Sequence, residues 1–310
     1  MKRRNICYYV SDYGNGHAAR AIAIIRRIQE EWEDARIHVR TAGPTHFMQQ
    51  SLRSCIHYHV KNDIGVILDQ EHLSVDRERT EDLFRTWMGS WDDYLLHEEN
   101  FCREEQIDCI LSDIAPQPFI ISESLSIPSI AISNFTWYAV FSALFGQVDE
   151  IDMLREAYQH ADLALVLPFH EPMEIFHKRQ EIGLVSRSIM VDREHLRKNC
   201  GVMPDDRLVY VGCGQVPHPL LKKALQKITE PGIKFLVSSN VDLKGEQVIA
   251  IPKGEIETQN YMAICDLIVT KCGYSTISEA VSAQVPVLLY RREGFSEDAY
   301  LIRGVERIGA

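Results

Sequence analysis

The sequence predicts an α/β protein built as two Rossmann-like domains. Short runs rich in Ile, Val and Leu alternate with helical patterns, and a strand leading through a glycine turn into a helix occurs near residue 10 and again near residue 212. Runs that are apolar throughout, rather than in alternation, are what parallel strands buried on both faces require. A length of 310 residues suits two domains of roughly 100–200 residues each. With 45% apolar and 25% charged residues the chain is too hydrophobic to remain disordered.

Taken in order, residues 6–10 read as the first strand, 17–33 as a helix and 37–41 as a second strand, one β-α-β unit. Residues 63–79 are polar and weakly periodic, a loop or small insertion near the cleft. A long helix is expected over 80–105, with Trp87, Met88, Trp91, Tyr94 and Leu95 at helical spacing for a core or an interface. Strands at 107–111, 129–133 and 163–167 alternate with helices at 118–125 and 149–160. Residues 169–206 hold Pro172 and Pro204 and no apolar run, so they read as a strandless linker between a domain at 1–168 and another at 207–310. The second domain offers strands at 208–211, 235–237, 267–270 and 285–289 and helices at 220–228, 258–265, 276–283 and from near Ala299. Three or four strands are few for such a sheet, so this domain reads as C-terminally short.

The net charge of −11 repels polyanions, which makes nucleic acid an unlikely partner class. The first apolar run is too short for a signal h-region, and no stretch approaches the ~20 apolar residues of a membrane span. The 8 cysteines are scattered without C-x-x-C pairs or zinc spacing, as in a reduced, cytoplasmic protein.

Two turns carry chemistry. In Ser11-Asp12-Tyr13-Gly14-Asn15-Gly16-His17 the glycines let backbone N–H groups approach a bound oxygen at a helix start, where negative charge is favoured. The same helix end disfavours imidazolium, so His17 is a candidate general base or else a simple cap. Asp113, at a strand end, is a candidate partner for the other ring nitrogen or a cap of the following helix. The second turn, Lys271-Cys272-Gly273-Tyr274-Ser275-Thr276, opens a helix where hydroxyls and free N–H groups converge as a phosphate cradle. Glu279, one helical turn on, is placed either to chelate ribose hydroxyls or to stabilise its own helix. Arg292, beside this cradle, is placed to reach a phosphate or to stay solvated. Asn134 and Trp137 follow a strand end and offer an acceptor pocket, a core or a lid. No D-x-D stands at a strand end, so no metal is expected.

Together these segments resemble the GT-B glycosyltransferases of the peptidoglycan N-acetylglucosaminyltransferase and monogalactosyldiacylglycerol synthase type. The likeness is closer still to the glycosyltransferase-like N-terminal half of plant L-arabinokinases. Leu111 to Pro116, Ile132 to Trp137 and Tyr290 to Asp298 share in that likeness, which runs in order along nearly the whole chain. The resemblance implies two domains facing across a cleft, with the acceptor mainly on the first and a nucleotide-sugar, rather than a resident cofactor, mainly on the second. It assigns Gly14, Gly16, Gly214, Lys271, Gly273, Ser275, Thr276 and Arg292 to the nucleotide-sugar, Glu279 to its ribose, and Glu297 and Asp298 to the donor sugar hydroxyls. His17 becomes the base that deprotonates an acceptor hydroxyl, helped by Asp113. The implied reaction is metal-independent transfer of a hexose from a uridine-based nucleotide-sugar to a hydroxyl acceptor. A UDP-sugar 2-epimerase and a nucleotide-sugar-binding module without turnover are the alternatives. The kinase activity of arabinokinases is not implied.

Overall fold

A computed structural model of the chain describes residues 4–69, 73–212 and 245–310 and, between them, 223, 225, 227, 228, 230–238, 241 and 243. Two parallel sheets form. The first holds β1 (Asn5–Val10), β2 (Arg36–Arg40), β3 (Ile56–Tyr58), β4 (Cys109–Asp113), β5 (Ser129–Ser133), β6 (Leu163–Val166) and β7 (Arg179–Glu181), in the order β3-β2-β1-β4-β5-β6-β7. The second holds β8 (Arg207–Gly212), β9 (Ile233–Val237), β10 (Val248–Ala250), β11 (Leu267–Lys271) and β12 (Val287–Tyr290), in the order β10-β9-β8-β11-β12. In each sheet the chain runs outward on one side and then returns to the other, which leaves a switch point between β1 and β4 and another between β8 and β11. Open α/β sheets bind their ligands at the carboxyl ends of such strand pairs.

Helix α1 (Asn15–Glu31) follows β1 and buries Ala18, Ala19 and Ala21, small residues that let it lie close on the sheet, together with Ile22 and Ile25. Then come α2 (Thr45–Ser51), α3 (Arg77–Met88), α4 (Trp91–Glu104), α5 (Gln117–Leu125), α6 (Trp137–Phe145), α7 (Asp149–Gln159), α8 (Arg193–Asn199), α9 (Thr258–Ala263), α10 (Tyr274–Ala283) and α11 (Glu297–Ile308). One apolar core crosses between the sheets: Ile22 and Ile25 of α1 share it with Cys272, Tyr274, Ile277, Leu301 and Val305.

Several expectations need correction. The stretch 169–206 is not strandless: Arg179–Glu181 pairs with β6, and α8 follows. All of β7 is exposed and polar, so only its backbone pairing, not any apolar pattern, makes it a strand. The second sheet has a fifth strand in β10, only Val248–Ala250 long. The helix expected over 80–105 is two, broken at Gly89 and Ser90, where the Ser90 hydroxyl donates to the Trp87 carbonyl oxygen at 2.7 Å. Trp87 and Trp91 then meet edge-on at 5.4 Å, which brings both helices into one aromatic core. The loop before them is docked rather than free: Val75 N–H donates to the Glu293 carbonyl oxygen at 3.0 Å, and Glu293 N–H to that of Leu73 at 3.2 Å. The helix expected over 220–228 lies largely outside the described residues.

Candidate active site

The first switch point is built by β1, α1 and β4. Val10 and Asp113 are register partners at the ends of their strands, so the turn after β1 opens beside the Asp113 carboxylate. Gly14 turns the chain at φ +89°, a conformation that suits glycine, and no side chain caps α1. His17, in the first turn, meets Asp113 Oδ1 through Nδ1 at 2.7 Å. Burial alone would raise the Asp113 carboxyl, but Arg20 and His17 outweigh it and hold the group below its ordinary range. Asp113 is therefore ionised. A proton on Nδ1 would satisfy this carboxylate and leave the Nε2 lone pair free. Among the described residues Nε2 makes no hydrogen bond.

Arg20 is the residue that sequence reasoning missed. It is 2% exposed and clamps Asp113 with Nε at 2.5 Å from Oδ2 and Nη2 at 2.7 Å from Oδ1. Its Nη1 donates to Asn134 Oδ1 at 2.8 Å. A signal was present: an arginine three residues after His17 on a face of Ala and Ile must be buried, and a buried arginine needs a carboxylate.

The second switch point carries the cradle. Helix α10 opens at Tyr274 with no side-chain cap, so its first N–H groups are free of intrahelical partners. Ser275 Oγ donates to the Gly16 carbonyl oxygen at 2.5 Å, so the two turns, 259 residues apart in sequence, touch. Gly14, Gly16, Gly273, Ser275 and Thr276 thereby come together with His17, whereas Gly214 lies outside the described residues. Lys271 ends β11, and its ammonium makes no hydrogen bond among the described residues; burial, with Arg292 adding, lowers its pKa to about 8. Glu279 is buried and paired with Arg187, whose Nε stands 2.7 Å from Oε1 and Nη2 3.2 Å from Oε2. Arg187 also donates to the Ile256 carbonyl oxygen at 2.5 Å and Thr258 Oγ1 at 3.1 Å. No pattern in the expected linker announced Arg187.

Arg292 is buried rather than solvated, and burial together with Asp298 and Glu297 governs its surroundings. It pairs with Asp298 through Nε at 3.0 Å and with Glu297 Oε2 through Nη2 at 3.2 Å. Asn134 Nδ2 donates to Glu297 Oε1 at 2.8 Å, joining this group to the first domain. Asn134 and Trp137, offered as an acceptor pocket, a core or a lid, are both fully buried in this conformation. Trp137 stacks on Phe141, meets Phe135 edge-on and donates Nε1–H to Asp63 at 2.8 Å, leaving no face for a sugar. Phe295 of the second domain seats against Tyr13 and Phe135 at 6.0 and 5.8 Å. A cavity of about 820 Å³ lies elsewhere, at the opposite ends of β5 and β6 beside Pro128 and Asp162. Among the described residues no group of three or more His, Cys, Asp and Glu is arranged to hold a metal, and no helix is long and apolar enough to cross a membrane.

With this geometry in hand, similarity to solved structures decides the fold. CalG4, the calicheamicin glycosyltransferase, superposes with a TM-score of 0.65 over 100% of this chain and 84% of its own, at 16% identity. The UDP-glucose:anthocyanidin 3-O-glucosyltransferase in complex with UDP gives 0.64 over 99% and 85%, at 13% identity. Arabidopsis thaliana UGT89C1 complexed with UDP-L-rhamnose gives 0.63 over 99% and 83%, at 14% identity. The fold is GT-B. In sequence, an Arabidopsis thaliana L-arabinokinase is 27% identical over 308 residues, which cover 95% of this chain. The chain spans 29% of the length of that curated relative. No family model matches the sequence. The GT-B frame explains why the two switch points face each other, since that fold sets two Rossmann-like sheets across one cleft.

Proposed function

We propose that this GT-B chain transfers a hexose from a uridine-based nucleotide-sugar to a hydroxyl acceptor, with His17 as general base. The observation that carries the reading is the contact of the two glycine turns, Ser275 Oγ on the Gly16 carbonyl oxygen at 2.5 Å, beside the His17–Asp113 pair. Two uncapped helix N-termini converge there. Their partial positive charges repel each other and favour an anion between them, as a nucleotide diphosphate supplies. Lys271, Ser275 and Thr276 hold the diphosphate, with Gly214 carried over from the resemblance, and no metal is needed as the leaving group gains charge. Glu279, steadied by Arg187, takes the ribose. Glu297 and Asp298, carried over from the resemblance, are assigned to the donor sugar hydroxyls, which they reach once released from Arg292 and Asn134. Neutral His17 accepts the proton of the attacking hydroxyl through Nε2, and Asp113 stabilises the imidazolium that forms.

The solved neighbours named with UDP or a UDP-sugar support a uridine donor. Free thiols at all seven described cysteines suit a reducing, cytoplasmic compartment. The test is to incubate the protein with UDP-sugars and follow UDP release with and without acceptor extracts. Acceptor-dependent release supports transfer. Interconversion of epimers without release shows isomerase chemistry, and tight UDP binding with neither shows a binding module.

A further inference from the structure

We infer that Arg20 is a positioning residue that selects the working tautomer of His17, and that the second domain sets its position through Asn134 and Glu297. The proposal rests on the assignment of His17 as base, but its readout does not. Arg20 touches three groups at once. Its Nε and Nη2 grip both oxygens of Asp113, its Nη1 donates to Asn134 Oδ1 at 2.8 Å, and its Nη2 stands 2.9 Å from His17 Nδ1. That last approach has a chemical consequence. Nδ1 has a carboxylate oxygen 2.7 Å away on one side and a guanidinium nitrogen on the other. An unprotonated Nδ1 could accept from Arg20 Nη2 but would set its lone pair against the nearer Asp113 oxygen, whereas a protonated Nδ1 donates to that ionised oxygen and leaves Nη2 its own bond to Asp113 Oδ1. Arg20 fixes the carboxylate in the rotamer that makes this choice, so the ring presents its free lone pair at Nε2.

The chain of contacts continues across the domain boundary. Asn134 spends its oxygen on Arg20 and its amide nitrogen on Glu297 Oε1, and Glu297 is in turn held by Arg292. Asn134 and Arg20 are buried, so neither has water to fall back on when a partner leaves. If the 291–298 segment lifts away, Asn134 loses its Glu297 contact and Arg20 loses the fixed anchor of Nη1. The base is thus fully oriented only while that segment is docked.

The experiment reads the ring nitrogens of His17 by ¹⁵N NMR in the unliganded protein, alongside kinetics and melting temperature. Wild type is expected to show one dominant tautomer with Nδ1 protonated. Arg20→Lys keeps the charge but loses the fork, and it should produce a mixture of tautomers and lower kcat by about 10–100-fold while the donor KM changes less than about threefold. Asn134→Leu, of similar volume, deletes both bridging bonds without touching Asp113; it should move the same resonances less far and lower kcat by about 3–10-fold. A folded Arg20→Lys or Asn134→Leu protein with wild-type His17 resonances overturns the proposal. Loss confined to KM, with kcat intact, overturns it as well. Should wild type turn over no nucleotide-sugar, the transferase reading fails, and the tautomer comparison still decides the role of Arg20.

Discussion

His17 is held by Asp113 and Arg20 at the first turn, and burial lowers the pKa of Lys271 at the second. These two groups can be tested apart. His17→Ala is expected to reduce turnover by several orders of magnitude while UDP affinity, measured by calorimetry, stays within about twofold, because the ring acts on the acceptor side. Glu279→Ala should do the reverse and weaken UDP binding; equal losses of affinity in both variants would contradict the roles assigned. Lys271 adds a pH dependence. Its pKa is lowered to about 8, so it is charged below that value and neutral above it, and a diphosphate favours the charged form. UDP affinity should therefore fall as pH rises through about 8, and Lys271→Met should flatten that decline. The His17–Asp113 contact was legible in the sequence because a histidine after Gly-Asn-Gly and an aspartate at a strand end are local signals. Trp137 stayed open between pocket, core and lid because an aromatic after a strand end reads alike whether it faces a cleft or, as here, donates its indole N–H to a buried Asp63.

Among the elements, the long interior strands were readable and the marginal ones were not. β1, β4 and β5 announce themselves by continuous burial, whereas β7 is three exposed polar residues that only β6 makes a strand. The break between α3 and α4 was similarly hidden, since Gly89 lies inside an unbroken helical period and only the Ser90 turn reveals the corner. Helix α11 offers the clearest test of element packing. A Cβ placed on Gly304 would come within 2.1 Å of the Phe169 ring, in the segment that leaves the first domain. Gly304→Ala must push α11 or Phe169 aside, at a cost of about 1–3 kcal/mol, typical of overpacking. A thermal melt should show a lower Tm for this variant, and an unchanged Tm would mean that the helix shifts freely.

At the scale of the whole molecule, two of the contacts that join the domains can be ranked by magnitude. Arg26 and Glu257 form an ion pair at 2.6 Å with 34% and 29% of their side chains exposed, which solvent reduces to about 0–1 kcal/mol. Phe295 is 4% exposed inside an aromatic cluster of the first domain, and truncating a buried phenylalanine costs about 3–5 kcal/mol. Phe295→Ala should consequently open the molecule, seen as a larger radius of gyration by solution scattering, while Arg26→Ala should leave it unchanged. The sequence pointed to segment 290–298 as a site for sugar hydroxyls and, through Arg292, for a phosphate; that it also seats an aromatic ring in the other domain depends on a surface assembled from Tyr13 and Phe135, far away in the chain.

Helix α1 presents His17, Arg20 and the Arg26 pair from a single rigid rod that starts just after β1. One residue inserted inside that rod, between Arg20 and Arg26, would rotate Arg26 by about 100° relative to the first turn and part it from Glu257. The helix can therefore exchange exposed residues along this stretch, but it cannot lengthen there. Its number of peptide units acts as a gauge block for everything the helix must reach.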